Sequence, residues 1–336
     1  MEENITALEG VTVTGSIGVV LNAGQVGLYM SAMKAVSRTK APFYNYEATL
    51  TALSFRGATP VTPSEIAIPL PLSIMPRWDA VFTDAGIGKV AYTVFGGGWN
   101  TLNVDAYKDS ELKSGYTYDI KEIDRPYFLI QSAQSPAKQQ YVSAIFSGYQ
   151  LGIIDLQSQD GQQATKVLSI VGSSEAPVSA GRVWGDLSND HLPASLNLVY
   201  KTNKNVGPLA PSGVFCGSLF FATFDVNAAP KDALGKSVPL LASVEFSDFD
   251  LAVGSSGEFC LFAVTGDGSP LLATFDSAGN ASGSPYTPVG AWSNAGGWVS
   301  NPTIVATPSV VGGFSFAFIE MDGDTPFCIQ TGTVTP

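Results

Sequence analysis

Residues 90–105 read VAYTVFGGGWNTLNVD, and this stretch decides the fold class. Two apolar segments rich in β-branched and aromatic residues flank a turn of three glycines. Such residues favour strands, and glycine allows the backbone angles that a tight hairpin needs. The stretch therefore predicts two antiparallel strands joined by a short turn.

The same plan recurs along the chain. It is repeated in residues 141–155 (YVSAIFSGYQLGIID), 261–276 (LFAVTGDGSPLLATFD) and 314–330 (FSFAFIEMDGDTPFCIQ), and more loosely from Val26 and from Phe215. A further short apolar strand is predicted before four of these units, at residues 78–82, 127–131, 249–253 and 303–307. The 35 glycines and 21 prolines leave few uninterrupted windows for a helix.

These repeats predict an all-β protein without a sizeable helical domain. A unit of three or four antiparallel strands cannot bury both of its faces alone, and radial packing of such units produces a β-propeller. We predict about six units in a single domain over residues 1–336. The alternative is a pair of stacked β-sandwich domains, residues 1–200 and 213–336, with a linker near residues 201–212.

Two segments do not follow this hairpin plan. The proline-rich residues 59–77 cannot form a central strand, because proline lacks the ladder donor, so we predict an edge or strap between the first two units. Residues 27–37 could form one helical turn, and we interpret them as a strand.

The charge balance excludes some partners. Charged residues make up only 14% of the chain, and the net charge is −12 with no basic run. Nucleic acids are bound by clustered cations, so we expect no nucleic-acid partner and no charge-driven lipid binding.

Membrane insertion is also not expected. The uncharged residues 11–33 contain four glycines with Asn22 and Gln25, which fit a hairpin better than a spanning helix. Glu2 and Glu3 do not fit a signal peptide. The compartment therefore stays open, and a secreted or extracellular location is compatible with the sequence.

The three cysteines, Cys216, Cys260 and Cys328, all follow a phenylalanine in an apolar segment. This context predicts buried, reduced thiols, with a Cys216–Cys260 disulfide as the less favoured alternative. The absence of a CxxC pair argues against structural zinc. We expect no metal and no cofactor.

Catalysis has little support in the sequence. The single histidine, His191, lies in a polar segment, and no GxSxG motif accompanies it. The carboxylates that a glycosidase would need are available at Asp79, Asp84, Asp186, Glu245, Asp248 and Asp250. Because 248 and 250 alternate with phenylalanines, we favour an ordinary half-exposed strand there. The Asp-Gly segments at 266–268 and 322–324 are predicted hairpin turns rather than calcium loops.

Tryptophans beside asparagine and glycine suggest a different site. Trp99 with Asn100, and Trp292 with Asn294 and Trp298, lie in predicted polar turns. A pyranose packs its CH groups on an indole ring while amides bind its hydroxyls. These five residues are our candidate ligand contacts. The alternative is that the rings anchor loops onto the core.

The segment at residues 292–306, WSNAGGWVSNPTIVA, resembles repeats of some bacterial β-propeller lectins, in which a tryptophan and a Gly-Gly pair precede a strand with an early proline. Residues 261–271 are similar to the strand-turn-strand of those repeats. The resemblance covers two units and implies sugar binding in pockets between blades.

Together these observations predict a non-catalytic, carbohydrate-binding protein that recognises a glycan or a cell-surface partner. The alternatives are a structural or adhesive spike component and a propeller glycosidase with paired carboxylates. The sequence leaves the oligomeric state open.

Overall fold

The computed structural model describes the residues of the strands named below, together with 216–218, 228, 234–237, 241–245, 254, 256–258, 266–269, 276–285 and 313. Within these residues every regular element is a strand, and no helix is long and apolar enough to cross a membrane.

The described residues form 24 strands, which are numbered in chain order. They are β1 Glu3–Ala7, β2 Ile17–Asn22, β3 Gln25–Lys40, β4 Phe43–Arg56, β5 Thr59–Pro60, β6 Ser64–Ile68, β7 Trp78–Thr83, β8 Gly86–Gly96, β9 Trp99–Lys108, β10 Glu111–Asp119, β11 Ile130–Gln134, β12 Gln140–Phe146, β13 Gln150–Asp155, β14 Lys166–Ser169, β15 Val178–Trp184, β16 Ser195–Thr202, β17 Leu219–Asp225, β18 Val238–Leu240, β19 Phe246–Val253, β20 Phe259–Thr265, β21 Pro270–Phe275, β22 Trp298–Ala306, β23 Phe314–Asp322 and β24 Thr325–Val334.

These strands form six antiparallel sheets in the described part of the chain. Sheet one contains β2 to β6, sheet two β7 to β10, sheet three β11 to β14, sheet four β15 to β18 and sheet five β19 to β21. Sheet six contains β22, β23 and β24, and β1 is its fourth strand because it pairs with β24. In sheets two to five the strands are adjacent in chain order, as expected when short turns join successive strands.

The all-β prediction is confirmed, and the hairpins lie where the repeats placed them. The predicted turn in residues 90–105 separates β8 from β9, and the other three well-matched repeats correspond to β12–β13, β20–β21 and β23–β24. The ambiguous residues 27–37 lie within strand β3. Part of the proline-rich segment forms β5 and β6, which both pair with β4.

One predicted boundary was wrong, because the strand expected at residues 303–307 is β22, which begins at Trp298. The strand expected at residues 127–131 overlaps β11, and residues 127–129 lie outside the described residues. In β22 the register shifts between Ser300 and Thr303, so an irregularity surrounds Pro302. A proline that interrupts the ladder in this way hides the first half of the strand from a search for unbroken apolar runs.

Successive sheets contact one another through their first strands. β2 contacts β7, β7 contacts β11, β11 contacts β15, β15 contacts β19 and β19 contacts β22. The series returns to its start, because β22 and β23 of sheet six contact β2 of sheet one. Sheet four extends across the predicted linker at residues 201–212, since β16 pairs with β17.

Two apolar clusters fill the space between the last three sheets. One joins sheets four and five and centres on Phe259, whose ring stacks on Phe275 at 4.9 Å and on Phe221 at 5.7 Å between centroids. The second joins sheets five and six through Phe262, Phe316 and neighbouring buried residues. The alternation of these residues along their strands directs one set to each face of sheet five.

A tight turn after β21 packs against sheet four, and it provides a test of this packing. Gly279 has a φ of 81°, and a Cβ atom there would lie 2.6 Å from Cδ1 of Phe221. We expect Gly279→Ala to reduce the free energy of unfolding by about 2 kcal/mol, because it combines a left-handed backbone with overpacking. Urea denaturation measures this change. Gly283→Ala is the control, since no atom lies within 4 Å of its added Cβ; equal effects would contradict the packing.

The thiols of Cys216 and Cys260 are both buried and form no disulfide with each other, as predicted. The side chain of Cys328 lies outside the described residues. Burial raises the pKa of Cys260 to about 12. Because the thiolate is the reactive form, we expect Cys260 to resist a thiol reagent at pH 8 until denaturant is added. Peptide mapping after labelling checks this, and rapid native labelling of Cys260 would show that the sheets open there.

Candidate ligand-binding groove

An open groove of about 440 Å³ lies at one end of sheet five. One wall is the segment that leads into β19, and the other is the hairpin between β20 and β21. The groove presents hydroxyl and carboxyl groups beside a small apolar patch. Its lining residues are Ser243, Val244, Glu245, Thr265, Gly266, Asp267, Ser269, Pro270 and Leu271.

The hairpin wall is a tight turn held by its own polar groups. Asp267 accepts hydrogen bonds from the Thr265 hydroxyl and from the backbone N–H of Ser269, the latter at 3.2 Å. Gly268 has a φ of 87°. The hydrogen bond from Thr265 is the main cause that lowers the pKa of Asp267, so this exposed carboxylate is ionised at neutral pH. The sequence prediction of a hairpin turn at 266–268 is confirmed.

The opposite wall contains a strained residue. Leu241 has a φ of 52°, which is unusual for a residue with a branched side chain and costs roughly 1–2 kcal/mol. Leu241 packs against the apolar cluster between sheets four and five, and its carbonyl accepts a hydrogen bond from Val244 N–H at 2.9 Å. Core packing therefore holds the turn that carries the exposed Ser243 at the groove.

A backbone hydrogen bond ties the two walls together. Gly266 N–H donates to the Glu245 carbonyl at 2.8 Å. A Cβ atom at Gly266 would lie 3.4 Å from the buried Cys216 sulfur, so the turn sits directly on the core. The hydrogen bond from Gly266 to Glu245 therefore fixes the distance between the two walls.

The five predicted ligand residues occupy different positions. Trp99 and Asn100 are the first residues of β9, where Trp99 pairs with Gly96, and Trp298 is the first residue of β22. The prediction that Trp99 and Trp298 lie in turns is therefore wrong, because each is the first residue of a strand. Trp292 and Asn294 lie outside the described residues, as does His191.

One predicted residue adjoins the groove. The residue after Trp298, Val299, donates its backbone N–H to the carbonyl of Gly268 at 3.1 Å. The chain at Trp298 is therefore next to the hairpin that forms one wall of the groove. The sequence missed Ser243, Thr265 and Ser269, since hydroxyl residues are common in β turns and only the fold brings these three together.

Away from the groove, a buried ion pair links three sheets. Arg182 of β15 donates from Nε to Oδ1 of Asp250 on β19 at 2.9 Å, and from Nη2 to the Phe249 carbonyl at 3.1 Å. The other oxygen of Asp250 accepts the backbone N–H of Ile304 on β22 at 3.1 Å. Both carboxylate oxygens of Asp250 therefore serve to join the first strands of sheets four, five and six.

A second buried cation lies at the same junction. Lys201 of β16 donates to the carbonyl of Ser247, which sits at the register shift of β19. Burial lowers the pKa of Lys201, and the charge of Asp248 opposes this effect. Burial raises the pKa of Asp248, against the charges of Arg182 and Lys201. Both ionic groups thus stabilise each other where solvent is scarce.

Metal binding has no basis in the described residues, which contain no group of three or more His, Cys, Asp and Glu side chains able to hold an ion. Among the described carboxylates, Asp267 and Asp276 hold turns and Asp250 joins sheets.

Comparison with known proteins gives the fold and little else. No family model and no curated protein matches the chain. Among solved structures, a protein of unknown function from Dyadobacter fermentans DSM 18053 is similar over 99% of this chain and 97% of its own, with 9% identity and a TM-score of 0.54. The chain shares that protein's fold.

Weaker likenesses include named propeller and sugar-active proteins. The Dos1 propeller matches 96% of this chain and 74% of its own, at 12% identity and a TM-score of 0.41. An exo-beta-1,3-galactanase from Phanerochaete chrysosporium matches 99% of this chain and 96% of its own, at 8% identity and a TM-score of 0.45.

Proposed function

We propose that the six sheets are the blades of a β-propeller. The support is the cyclic series of contacts between first strands, from β2 through β22 and back to β2. Radial packing buries the two faces of each sheet against its neighbours, which a row of sheets does not achieve for its first and last members. The pairing of β1 with β24 adds a strand from the start of the chain to the last blade.

We further propose that the protein binds carbohydrate without catalysing a reaction. The observation that carries this proposal is the groove between the turn at 241–245 and the hairpin at 265–270. Its hydroxyl and carboxyl groups can bind sugar hydroxyls, while the partly exposed Val244 and Leu271 can receive the apolar face of a pyranose.

The tryptophan candidates remain part of this proposal. In a propeller the first strands of all blades run in the same direction, so their starts share one face with the hairpins between second and third strands. Trp298 begins a first strand, and Trp99 follows such a hairpin. Trp99, Asn100 and Trp298 would then surround the same face as the groove, while Trp292 and Asn294 stay candidates from the sequence.

Glycan-array screening followed by titration of any hit tests the proposal. We expect Ser243→Trp, which fills the groove from an exposed position, to weaken binding at least tenfold without changing stability. Ser284→Trp is the control, because Ser284 is equally exposed and lies outside the groove.

The tryptophan sites have their own test. Trp99→Ala should remove binding at one site and leave folding nearly intact, whereas a buried tryptophan costs roughly 3–5 kcal/mol when truncated. An array without any hit, together with such a loss of stability, would favour a structural or adhesive component. Hydrolysis of aryl glycosides would favour the glycosidase.

A further inference from the structure

Sheet one carries a hairpin that extends past its neighbours. Its strands β3 and β4 contain 16 and 14 residues, the greatest lengths among the described strands. β2 pairs only with residues 25–30 of β3, and β6 only with residues 48–52 of β4. Residues 34–40 and 43–47 therefore pair only with each other among the described strands. We call residues 34–47 the ribbon arm.

The ribbon arm reaches well beyond the sheet. Seven residues of antiparallel strand span about 24 Å, close to the length of a whole strand elsewhere in the fold. A two-stranded ribbon is marginally stable in water when nothing packs on it. The arm also has two register shifts, between Ala35 and Ser37 and between Arg38 and Lys40, which increase twist. A partner surface would supply the packing that the sheet does not.

The arm differs in charge from the rest of the chain. It contains Lys34, Arg38 and Lys40 and one acidic residue, Glu47, which pairs with Lys34 at the base of the arm. The whole chain carries −12, so the chain without these three cations carries −15. The acidic remainder includes Glu111, Asp225, Asp267 and Asp276 at exposed positions.

Aromatic residues stand opposite the cations in the ribbon ladder. The register pairs Arg38 with Tyr44 and Lys40 with Phe43. Arginine and tyrosine are enriched at protein interfaces. The position, charge and composition of the arm therefore all favour a role in binding a partner surface.

We propose that the ribbon arm is a self-association element that docks on the acidic surface of a second copy of this chain. The charge difference selects this occupant, because every copy presents a basic arm together with a strongly acidic remainder. Opposite charges also steer such an encounter and make it sensitive to salt.

Sedimentation velocity of the full chain over a concentration series tests the proposal. We expect concentration-dependent association in about 0.05 M NaCl that weakens at least tenfold in about 0.5 M NaCl, where the Debye length is much shorter. Arg38→Glu combined with Lys40→Glu, which keeps the Lys34–Glu47 pair, should abolish it. The matched control is Lys113→Glu combined with Lys236→Glu, which makes the same charge change at exposed positions outside the arm and should leave association as strong or strengthen it.

Several outcomes would overturn the proposal. One is a monomer at every concentration and salt level, and another is an equal effect of both double variants, which would mean that net charge alone governs association. A monomer whose arm binds heparin would indicate a polyanionic partner instead. If the cations only protect an open strand edge, the arm variant should aggregate more rather than less. Should that variant unfold by circular dichroism, the salt dependence of the unmodified chain decides.

Discussion

Replacing Arg182 by leucine should cost about 3–5 kcal/mol of the free energy of unfolding, because it leaves a buried carboxylate without its counter-ion. Arg182 and Asp250 have side-chain exposures of only 11% and 16%. The variant also removes the hydrogen bonds to the Gly181 and Phe249 carbonyls and the contact over the Phe249 ring. Urea denaturation with a two-state fit measures the loss.

The exposed ion pair between Lys113 and Glu111 provides the control. Its side chains are 48% and 75% exposed, so Lys113→Leu should change stability by no more than about 1 kcal/mol. A similarly small change for Arg182→Leu would show that the pair does not hold sheets four, five and six together.

Phe259→Ala should destabilise the protein by about 3–5 kcal/mol, the usual cost of removing a fully buried phenylalanine ring. Phe259 is completely buried and contacts the rings of Trp184, Phe221 and Phe275 from two sheets. Loss of this ring leaves a cavity at the junction of sheets four and five. The midpoints of thermal unfolding and of urea unfolding should both move to lower values.

Leu112→Ala is the matched apolar truncation, because Leu112 is 56% exposed on β10. It should change stability by less than about 0.5 kcal/mol. If Phe259→Ala were as mild as Leu112→Ala, sheets four and five would not share a packed core.

The fold class could be predicted from the sequence because its signal is local. A hairpin such as residues 90–105 contains its strand residues and its turn residues within one short segment. The boundaries of β22 could not be predicted, because the register shift that surrounds Pro302 depends on the neighbouring β23.

The connections between sheets escaped prediction because they depend on residues far apart in the chain. Arg182 and Asp250 are separated by 68 positions, and Lys201 and Ser247 by 46. Asp250 was considered as a candidate catalytic carboxylate, and its role as a link became visible only with Arg182 and Ile304 in place. The sequence of a strand does not show which distant residue will bind a charged side chain in it.

The groove was predictable only in part. The turn at 266–268 was expected from its Asp-Gly sequence, and Glu245 was among the candidate carboxylates. Their meeting depends on the hydrogen bond from Gly266 to Glu245, which joins two separate segments. The strained Leu241 has no sequence signal, because leucine is not a residue that usually adopts a positive φ.

The pairing of β1 with β24 constrains how the protein can be made. The residues of β1 leave the ribosome early, whereas β24 follows only after residues 8–324 have been synthesised. At about 5–20 residues per second, β1 waits tens of seconds for its partner. Its edge stays open to wrong pairings during this interval, so a chaperone that shields nascent β1 should raise the yield of molecules in which β1 pairs with β24.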